Sequence, residues 1–410
     1  MLSSDRVGAM AAPLCEPRRT VYTPADTEAR SAGRRFRALG NPVKSPVPSQ
    51  NPLLRAAISQ LEAGASLTFS LVPDGFDAFL AGDLARALAA SAEDRPAALV
   101  HVARDGRRAA AFEETLRFAA PEIEIVSFPA WDCQPYDRVS PTGAVAAQRM
   151  QALARLARSR GSAQRPRLVS TTINAVLQRV PPLDWVKAQS LSAAPGNALD
   201  MDELAKWLEA HGFLRSSTVR ETGEYAVRGG ILDVLAPGWA APLRLDFFGD
   251  TLESIRAFDP ETQRTTTQVR SLDLVPMSEV QLTTDTMRAF RQAYLAEFGA
   301  NTRGDGLYEA ISEGRRFPGM EHWAPLFLGR MDTLFDFLGD APMLLDRLSE
   351  EAAGERFALI ADYYDARREA HQKDPANAPY KPLKPEALYL SESEWKRRLD
   401  GATTVRLTPF

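Results

Sequence analysis

Short apolar runs alternate with segments of helical periodicity between residues 51 and 182, and this alternation limits the possible folds more than any other feature of the chain. The apolar runs lie at 67–72, 97–103, 122–128 and 167–172, and the helical segments lie at 53–61, 77–90, 106–119, 145–157 and 173–179. Strands that alternate with helices form crossover units, which build a parallel sheet buried on both faces. The sequence therefore predicts an α/β domain at 51–182.

A different pattern starts near residue 183 and continues to about residue 275. A helical segment is followed by short alternating runs, at 201–210 and then at 224–234, 242–248 and 251–258. Glycine-containing pairs separate these runs, and Gly249-Asp250 is typical of a tight hairpin turn. The pattern predicts a small α+β domain at 183–275. Helical segments then return at 284–298, 307–312 and 347–372.

The two ends of the chain differ from the rest in composition. Residues 1–50 contain six prolines and eight Arg or Lys against four acids. We expect this stretch to be a disordered basic tail, because it has too few large apolar residues to offset the entropy of ordering. A nucleic-acid-binding arm is the alternative for this tail. Residues 373–410 begin with a Pro-rich stretch, and they are predicted to be a linker and the incomplete start of a further domain.

Bulk composition excludes several classes of protein. The net charge of the 410 residues is −4, so no global basic field indicates a nucleic-acid binder. The two cysteines, Cys15 and Cys133, are too few for a disulfide framework and fit a reducing cytoplasm, where we expect the protein to be. No run of about 18 apolar residues is present, so we expect no membrane contact.

The first predicted strand-to-helix turn lies where nucleotide-binding proteins hold phosphate. A working phosphate loop has glycines, a lysine and a serine or threonine, as in GxxxxGK[ST]. Here the turn consists of Pro73, Asp74, Gly75, Phe76 and Asp77, with no lysine and no hydroxyl. Asp77 is expected to cap the helix itself, and its negative charge repels a triphosphate. The sequence therefore predicts a degenerate phosphate loop without ATP, magnesium or catalytic residues.

Three stretches of the sequence resemble one protein family. They are 128–137 (FPAWDCQPYD), 223–234 (GEYAVRGGILDV) with 243–248 (LRLDFF), and 318–327 (PGMEHWAPLF). Together they resemble the UvrB-homology module of the bacterial transcription-repair coupling factors (Mfd family), over about 51–370. The resemblance implies a degenerate helicase-like, P-loop NTPase-like domain with a parallel sheet. That domain would be built from two segments, 51–182 and a return segment at 276–372, with an inserted UvrA-binding domain at 183–275.

The resemblance also implies functions for which this chain has no motif. Family members have downstream domains that bind RNA polymerase and translocate on DNA with ATP and magnesium. No GK[ST] motor motif occurs in the 410 residues. The chain is therefore expected to stop before those domains and to reach RNA polymerase and DNA only through them. The expected function of this part is recruitment of excision repair through UvrA, without ATP hydrolysis.

The candidate UvrA contacts lie in the predicted inserted domain. Arginine forks bind carboxylates across protein interfaces, and the family uses arginines of this domain to contact UvrA. The candidates are Arg215, Arg220, Arg228 and Arg244, together with Glu224, Asp233 and Phe247. The alternative is an ordinary solvated hairpin whose charged groups pair with one another. Two other functions stay open for the chain, namely an ATP-dependent DNA translocase and a DNA-binding module that uses the basic tail.

Overall fold

The computed structural model of the protein describes residues 52–91, 99–158, 166–375 and 380–408, and the predicted tail at 1–50 lies outside these ranges. The strands are β1 (Leu67–Ser70), β2 (Leu99–Ala103), β3 (Glu124–Phe128), β4 (Arg167–Thr172), β5 (Leu191–Ala193), β6 (Leu214–Arg215), β7 (Glu224–Arg228), β8 (Ile231–Val234), β9 (Leu243–Phe248), β10 (Thr251–Phe258), β11 (Thr265–Gln268), β12 (Leu272–Leu274), β13 (Met343–Leu345) and β14 (Thr404–Thr408). The α-helices are α1 (Pro52–Glu62), α2 (Phe76–Ser91), α3 (Gly106–Ala119), α4 (Gly143–Arg158), α5 (Ile173–Val176), α6 (Leu183–Ala188), α7 (Met201–Ala210), α8 (Thr284–Phe298), α9 (Gly306–Ser312), α10 (Ala324–Leu328), α11 (Leu334–Leu338), α12 (Ser349–Lys373), α13 (Pro385–Leu388) and α14 (Glu392–Asp400).

A six-stranded parallel sheet organises the α/β domain, in the order β1-β14-β13-β2-β4-β3. Successive side chains of a strand point to opposite faces. Leu168 and Val169 of β4 accordingly lie in two different apolar cores. Helices α1, α2 and α3 contribute to one core, and α4, α5 and α12 contribute to the other. The predicted α/β class with a buried parallel sheet is confirmed.

The last part of the chain differs from its prediction as a linker and an incomplete further domain. Strand β14 lies in the interior of the sheet, between β1 and β13, and it is parallel to both. Trp395 of α14 belongs to one core of the α/β domain, and Leu388 of α13 belongs to a third core. For residues 380–408 the prediction is wrong, because β14 completes the sheet of the α/β domain while α13 and α14 pack into the cores.

The inserted domain is built around a second six-stranded sheet, in the order β11-β10-β9-β8-β7-β6. Neighbouring strands are antiparallel, except that β6 is parallel to β7. The predicted hairpin at Gly249-Asp250 joins β9 to β10, with Phe248 opposite Thr251. Strands β5 and β12 pair with each other where the chain enters and leaves this domain. The insert thus interrupts the α/β domain between β4 and β13.

The return segment forms a third apolar core with α8, α9 and α10. The 318–327 stretch passes through a 3₁₀ helix at Met320–Trp323 into α10, and Trp323 is buried. The fully buried Tyr136, from the loop after β3, packs into the same core. The 318–327 stretch, one of the three that carry the family resemblance, therefore has a packing role. Within the described ranges, no helix combines the length and the apolarity needed to cross a bilayer.

Candidate partner-binding surface and the first strand-to-helix turn

The first turn of the α/β domain contains Gly75 at φ +88°, a conformation that glycine adopts without strain. Helix α2 begins at Phe76, so Asp77 is its second residue rather than its cap. The Asp77 side chain is buried and forms an ion pair with Arg108 of α3. The prediction that Asp77 caps the helix is therefore wrong, because its carboxylate is bound by a guanidinium from another helix.

Arg108 also binds a second buried carboxylate. Its Nε donates to Oδ2 of Asp346, which follows β13, at 2.9 Å. Burial raises the pKa of Asp346, although Arg108 acts in the opposite direction. Burial likewise disfavours the charged form of Arg108, but the carboxylates of Asp346 and Asp77 outweigh this and raise its pKa. Nearby, Arg347 Nη2 donates to Asp74 Oδ2 at 2.6 Å.

This first turn is therefore neutralised from within the chain. Its two carboxylates, on Asp74 and Asp77, each bind an arginine from elsewhere in the α/β domain. The rim is apolar, since the side chains of Leu71, Phe76 and Phe79 are 74%, 58% and 43% exposed. None of the described ranges contains a group of His, Cys, Asp or Glu that could hold a metal ion.

Three of the predicted contact residues are exposed on one edge of the inserted domain. Arg215 lies on the edge strand β6, Arg220 lies in the loop between β6 and β7, and Arg228 ends β7. The guanidinium of Arg228 reaches back to this loop, where Nη2 donates to Thr218 Oγ1 at 3.1 Å and to the carbonyl oxygen of Ser217. The structure thus brings three arginines to the same edge of the sheet.

The other predicted contact residues have partners inside the domain. Arg244 donates from Nε and Nη2 to the two oxygens of the buried Asp233, both at 2.8 Å. The hydrogen bond to Asp233 raises the pKa of Arg244. Glu224 accepts the backbone N–H groups of Arg220 and Glu221, at 2.8 and 2.9 Å, and these bonds lower its pKa. The half-buried Phe247 packs against the core of the domain.

Two exposed apolar residues of this domain were missed by the sequence analysis. Phe248 is 76% exposed and Leu214 is 71% exposed. Phe248 lies at the end of the sheet that also holds Arg228, because Phe247 N donates to Gly230 O at 2.9 Å across the adjoining hairpin. Its neighbour Phe247 turns toward the core, as strand alternation requires. The sequence signal that could have identified Phe248 as exposed was its position directly before the turn at Gly249.

Comparison with known protein families identifies a UvrB interaction domain at residues 191–280. This range begins with β5 and includes the whole second sheet. Most of the chain is also similar to proteins named transcription-repair-coupling factor. The Haemophilus influenzae protein is 34% identical over 322 residues, which are 78% of this chain and 27% of that protein.

Two further relatives give the same result. The Rickettsia conorii transcription-repair-coupling factor is 34% identical over 72% of this chain, and the Escherichia coli one is 31% identical over 69%. The matched regions are 26% and 24% of those proteins, so the chain spans about a quarter of the length of the curated relatives it matches. With its α/β body and its UvrB interaction domain, this chain belongs to the transcription-repair-coupling factor family.

Proposed function

We propose that this chain recruits nucleotide excision repair by docking on UvrA through its inserted domain. The main support for this proposal is the exposed edge formed by Arg215, Arg220 and Arg228, with the exposed Phe248 at the Arg228 end of the sheet. This edge lies within the range matched by the UvrB interaction domain. Exposed guanidinium groups beside an aromatic ring are typical of energetically dominant interface residues. The docking surface therefore consists of Arg215, Arg220, Arg228 and Phe248.

The same proposal assigns supporting roles to the remaining candidates. The Arg244–Asp233 pair joins β9 to β8 in the same sheet, and the Arg244 guanidinium lies 4.6 Å from the centre of the Phe258 ring. Glu224 fixes the loop that carries Arg220. These groups hold the exposed residues in position, and fixed side chains lose less entropy when they bind a partner.

We further propose that this part of the chain hydrolyses no ATP. The network of Asp77, Arg108 and Asp346 supports this proposal, because these groups already neutralise one another at the turn where phosphate would bind. RNA polymerase binding and DNA translocation would then depend on regions of the coupling factors outside the matched quarter. In the intact system this chain would link UvrA to a stalled polymerase.

A pull-down with UvrA tests the docking surface. Replacing Arg228 by Ala, or Phe248 by Ser, is expected to weaken UvrA binding at least about tenfold, since truncation of a central interface residue costs about 2 kcal/mol or more. Circular dichroism should show that both variants keep their fold, because both side chains are exposed.

A matched control is available on the opposite edge of the same sheet. Arg264 is exposed in the loop between β10 and β11, and Arg264→Ala should bind UvrA like the unmodified chain. If Arg228→Ala and Phe248→Ser also bind like the unmodified chain, UvrA docks elsewhere and the assignment of this surface fails.

A further inference from the structure

A cavity of about 340 Å³ lies against the third apolar core, and we call it the aromatic cavity. Its volume falls in the range of about 300–1,000 Å³ that is usual for small-molecule sites. Pro318 and Trp323 of its wall belong to the 318–327 stretch, and Arg138 directly follows the 128–137 stretch. Residues in or beside two of the three stretches that carry the family resemblance therefore line a cavity that the proposed function does not use.

Aromatic side chains make up most of the wall of this cavity. They are Tyr294, Phe317, Trp323 and Tyr380. The ring centres of Trp323 and Tyr380 are 4.6 Å apart, and Trp323 Nε1 donates to the carbonyl oxygen of Lys381 at 2.9 Å. The hydroxyl of Tyr294 donates to Asp305 Oδ2. Rings held in this way lose little entropy when a ligand binds, and their faces and edges favour another aromatic ring.

The carboxylate of Asp305, which also lines the cavity, is already bound by a cation of the chain. Lys381 Nζ donates to Asp305 Oδ2 at 2.8 Å and lies 5.2 Å from the centre of the Tyr294 ring. Aromatic faces beside a carboxylate otherwise suit a cationic ligand. Here Lys381 takes that place, so a cationic ligand would have to displace it.

The guanidinium of Arg138 is the charged group of the lining that is left for a ligand. Arg138 is exposed and forms no ion pair within the part of the chain that the structure describes. Asp137, which does not line the cavity, accepts the backbone N–H of Arg138 at 2.7 Å. Gly319, at φ +78°, lets this loop approach closely, since a Cβ there would lie 3.1 Å from Asp137 O. The cavity therefore combines aromatic walls with one unpaired positive charge.

We propose that the aromatic cavity binds a small aromatic acid. Its ring would lie among Tyr294, Phe317 and Trp323, and its carboxylate would pair with Arg138. The planar guanidinium group matches the geometry of a carboxylate, and such charge-assisted pairs are stronger than neutral hydrogen bonds. The proposal does not depend on UvrA docking, because none of the lining residues belongs to the inserted domain.

Calorimetric titration of the full chain with 2-naphthoate tests this proposal. The matched ligand is 2-naphthylmethylamine, which has the same ring system but carries a positive charge at neutral pH. We expect saturable binding of 2-naphthoate at a single site. The amine should bind at least about tenfold more weakly, because it cannot pair with the guanidinium of Arg138.

Arg138→Gln tests the charged group of the cavity. This variant should bind 2-naphthoate about tenfold more weakly and should lose the preference for the acid over the amine. Arg303→Gln is the matched control, since Arg303 is exposed in the loop before α9 and does not line the cavity. It should bind 2-naphthoate like the unmodified chain.

Gly306→Leu tests the cavity itself. Gly306 begins α9 and lines the cavity, and a Cβ at this position would lie 3.5 Å from the Phe317 ring, which is an ordinary contact distance. Leucine extends further and fills part of the space, so this variant should bind no 2-naphthoate. Gly306→Ala adds only the methyl group and should bind like the unmodified chain. Circular dichroism should show that all four variants keep their fold.

Several results would overturn the proposal. They are no saturable binding of 2-naphthoate, equal binding of the acid and the amine, equal losses in Arg138→Gln and Arg303→Gln, or unchanged binding by Gly306→Leu. A blocked Glu-Trp-Glu peptide addresses the other source of an aromatic acid. If this peptide binds and 2-naphthoate does not, the cavity accepts a side chain of a partner protein instead. Arg228→Ala should leave 2-naphthoate binding unchanged, which separates this test from UvrA docking.

Discussion

Asp77 and Asp346 share the single guanidinium of Arg108, and both carboxylates are almost fully buried. A buried ion cluster of this kind adds little net stability, because desolvation opposes the attraction between the charges. Removal of one partner is costly, however, since it leaves the other charge buried without compensation. Arg108 is thus the residue on which this turn depends.

Arg108→Met is expected to lower the free energy of unfolding by about 3–5 kcal/mol, because two buried carboxylates lose their counter-charge. Urea denaturation at neutral pH measures the effect. Arg347→Ala is the matched control, since its pair with Asp74 is partly exposed and contributes only about 0–1 kcal/mol. If both variants lose the same free energy of unfolding, the buried cluster contributes no more to stability than the partly exposed Arg347–Asp74 pair.

At the scale of single residues, the sequence showed which side chains the first turn has, but it did not show which residues they bind. It correctly showed that the first turn has no lysine and no hydroxyl. It could not show that Asp77 binds Arg108, 31 positions away, or that Arg108 also binds Asp346, 238 positions away. An acidic residue at a helix start has the same local signature whether it caps the helix or forms a distant ion pair. The choice of Phe247 as a contact residue stays a prediction, although the structure places its ring against the core of the inserted domain and leaves Phe248 exposed.

Elements with strong periodicity were predicted almost to the residue, and weak ones were missed. The predicted bounds of α3, β4, α7, β10 and α8 agree with the structure. Strand β13 has only three residues, and β14 mixes polar with apolar side chains in the sequence TVRLT. Neither has a clear local pattern, because each is stabilised by neighbouring strands from distant parts of the chain.

Strand β14 is expected to be required for folding, although it lies at the end of the chain. A chain that ends at residue 402 should yield little soluble protein and a reduced circular dichroism signal, because β1 and β13 lose the strand between them. A chain that ends at residue 408 should fold like the unmodified one. Normal solubility and spectrum of the shorter chain would contradict the interior position of β14.

At the scale of the whole molecule, the buried arginine–carboxylate network and the exposed arginine edge are on separate parts of the chain. The α/β domain contains the parallel sheet and the arginine–carboxylate network. The inserted domain contains the exposed edge around Arg228, and its own apolar core supports that edge.

We expect titration calorimetry with Mg-ATP to show no saturable binding to the full chain. The arginines that approach this turn are already bound by its own carboxylates, Arg108 by Asp77 and Arg347 by Asp74, and residues 73–77 include no lysine and no hydroxyl for a phosphate. The same preparation should pull down UvrA, which would prove that it is correctly folded. Saturable binding near one nucleotide per chain would restore the ATP-driven motor as the better interpretation.

The interior position of β14 has a consequence for biosynthesis. Thr404 N donates to Ser66 Oγ, so residues 338 positions apart must meet before the fold is complete. At about 5–20 residues per second, translation of that interval takes roughly 20 to 70 seconds. During this time β1 has left the ribosome without its neighbour in the sheet, and non-local pairing of this kind is slow even after synthesis ends. The sheet of the α/β domain therefore cannot be completed until almost the whole chain has been synthesised.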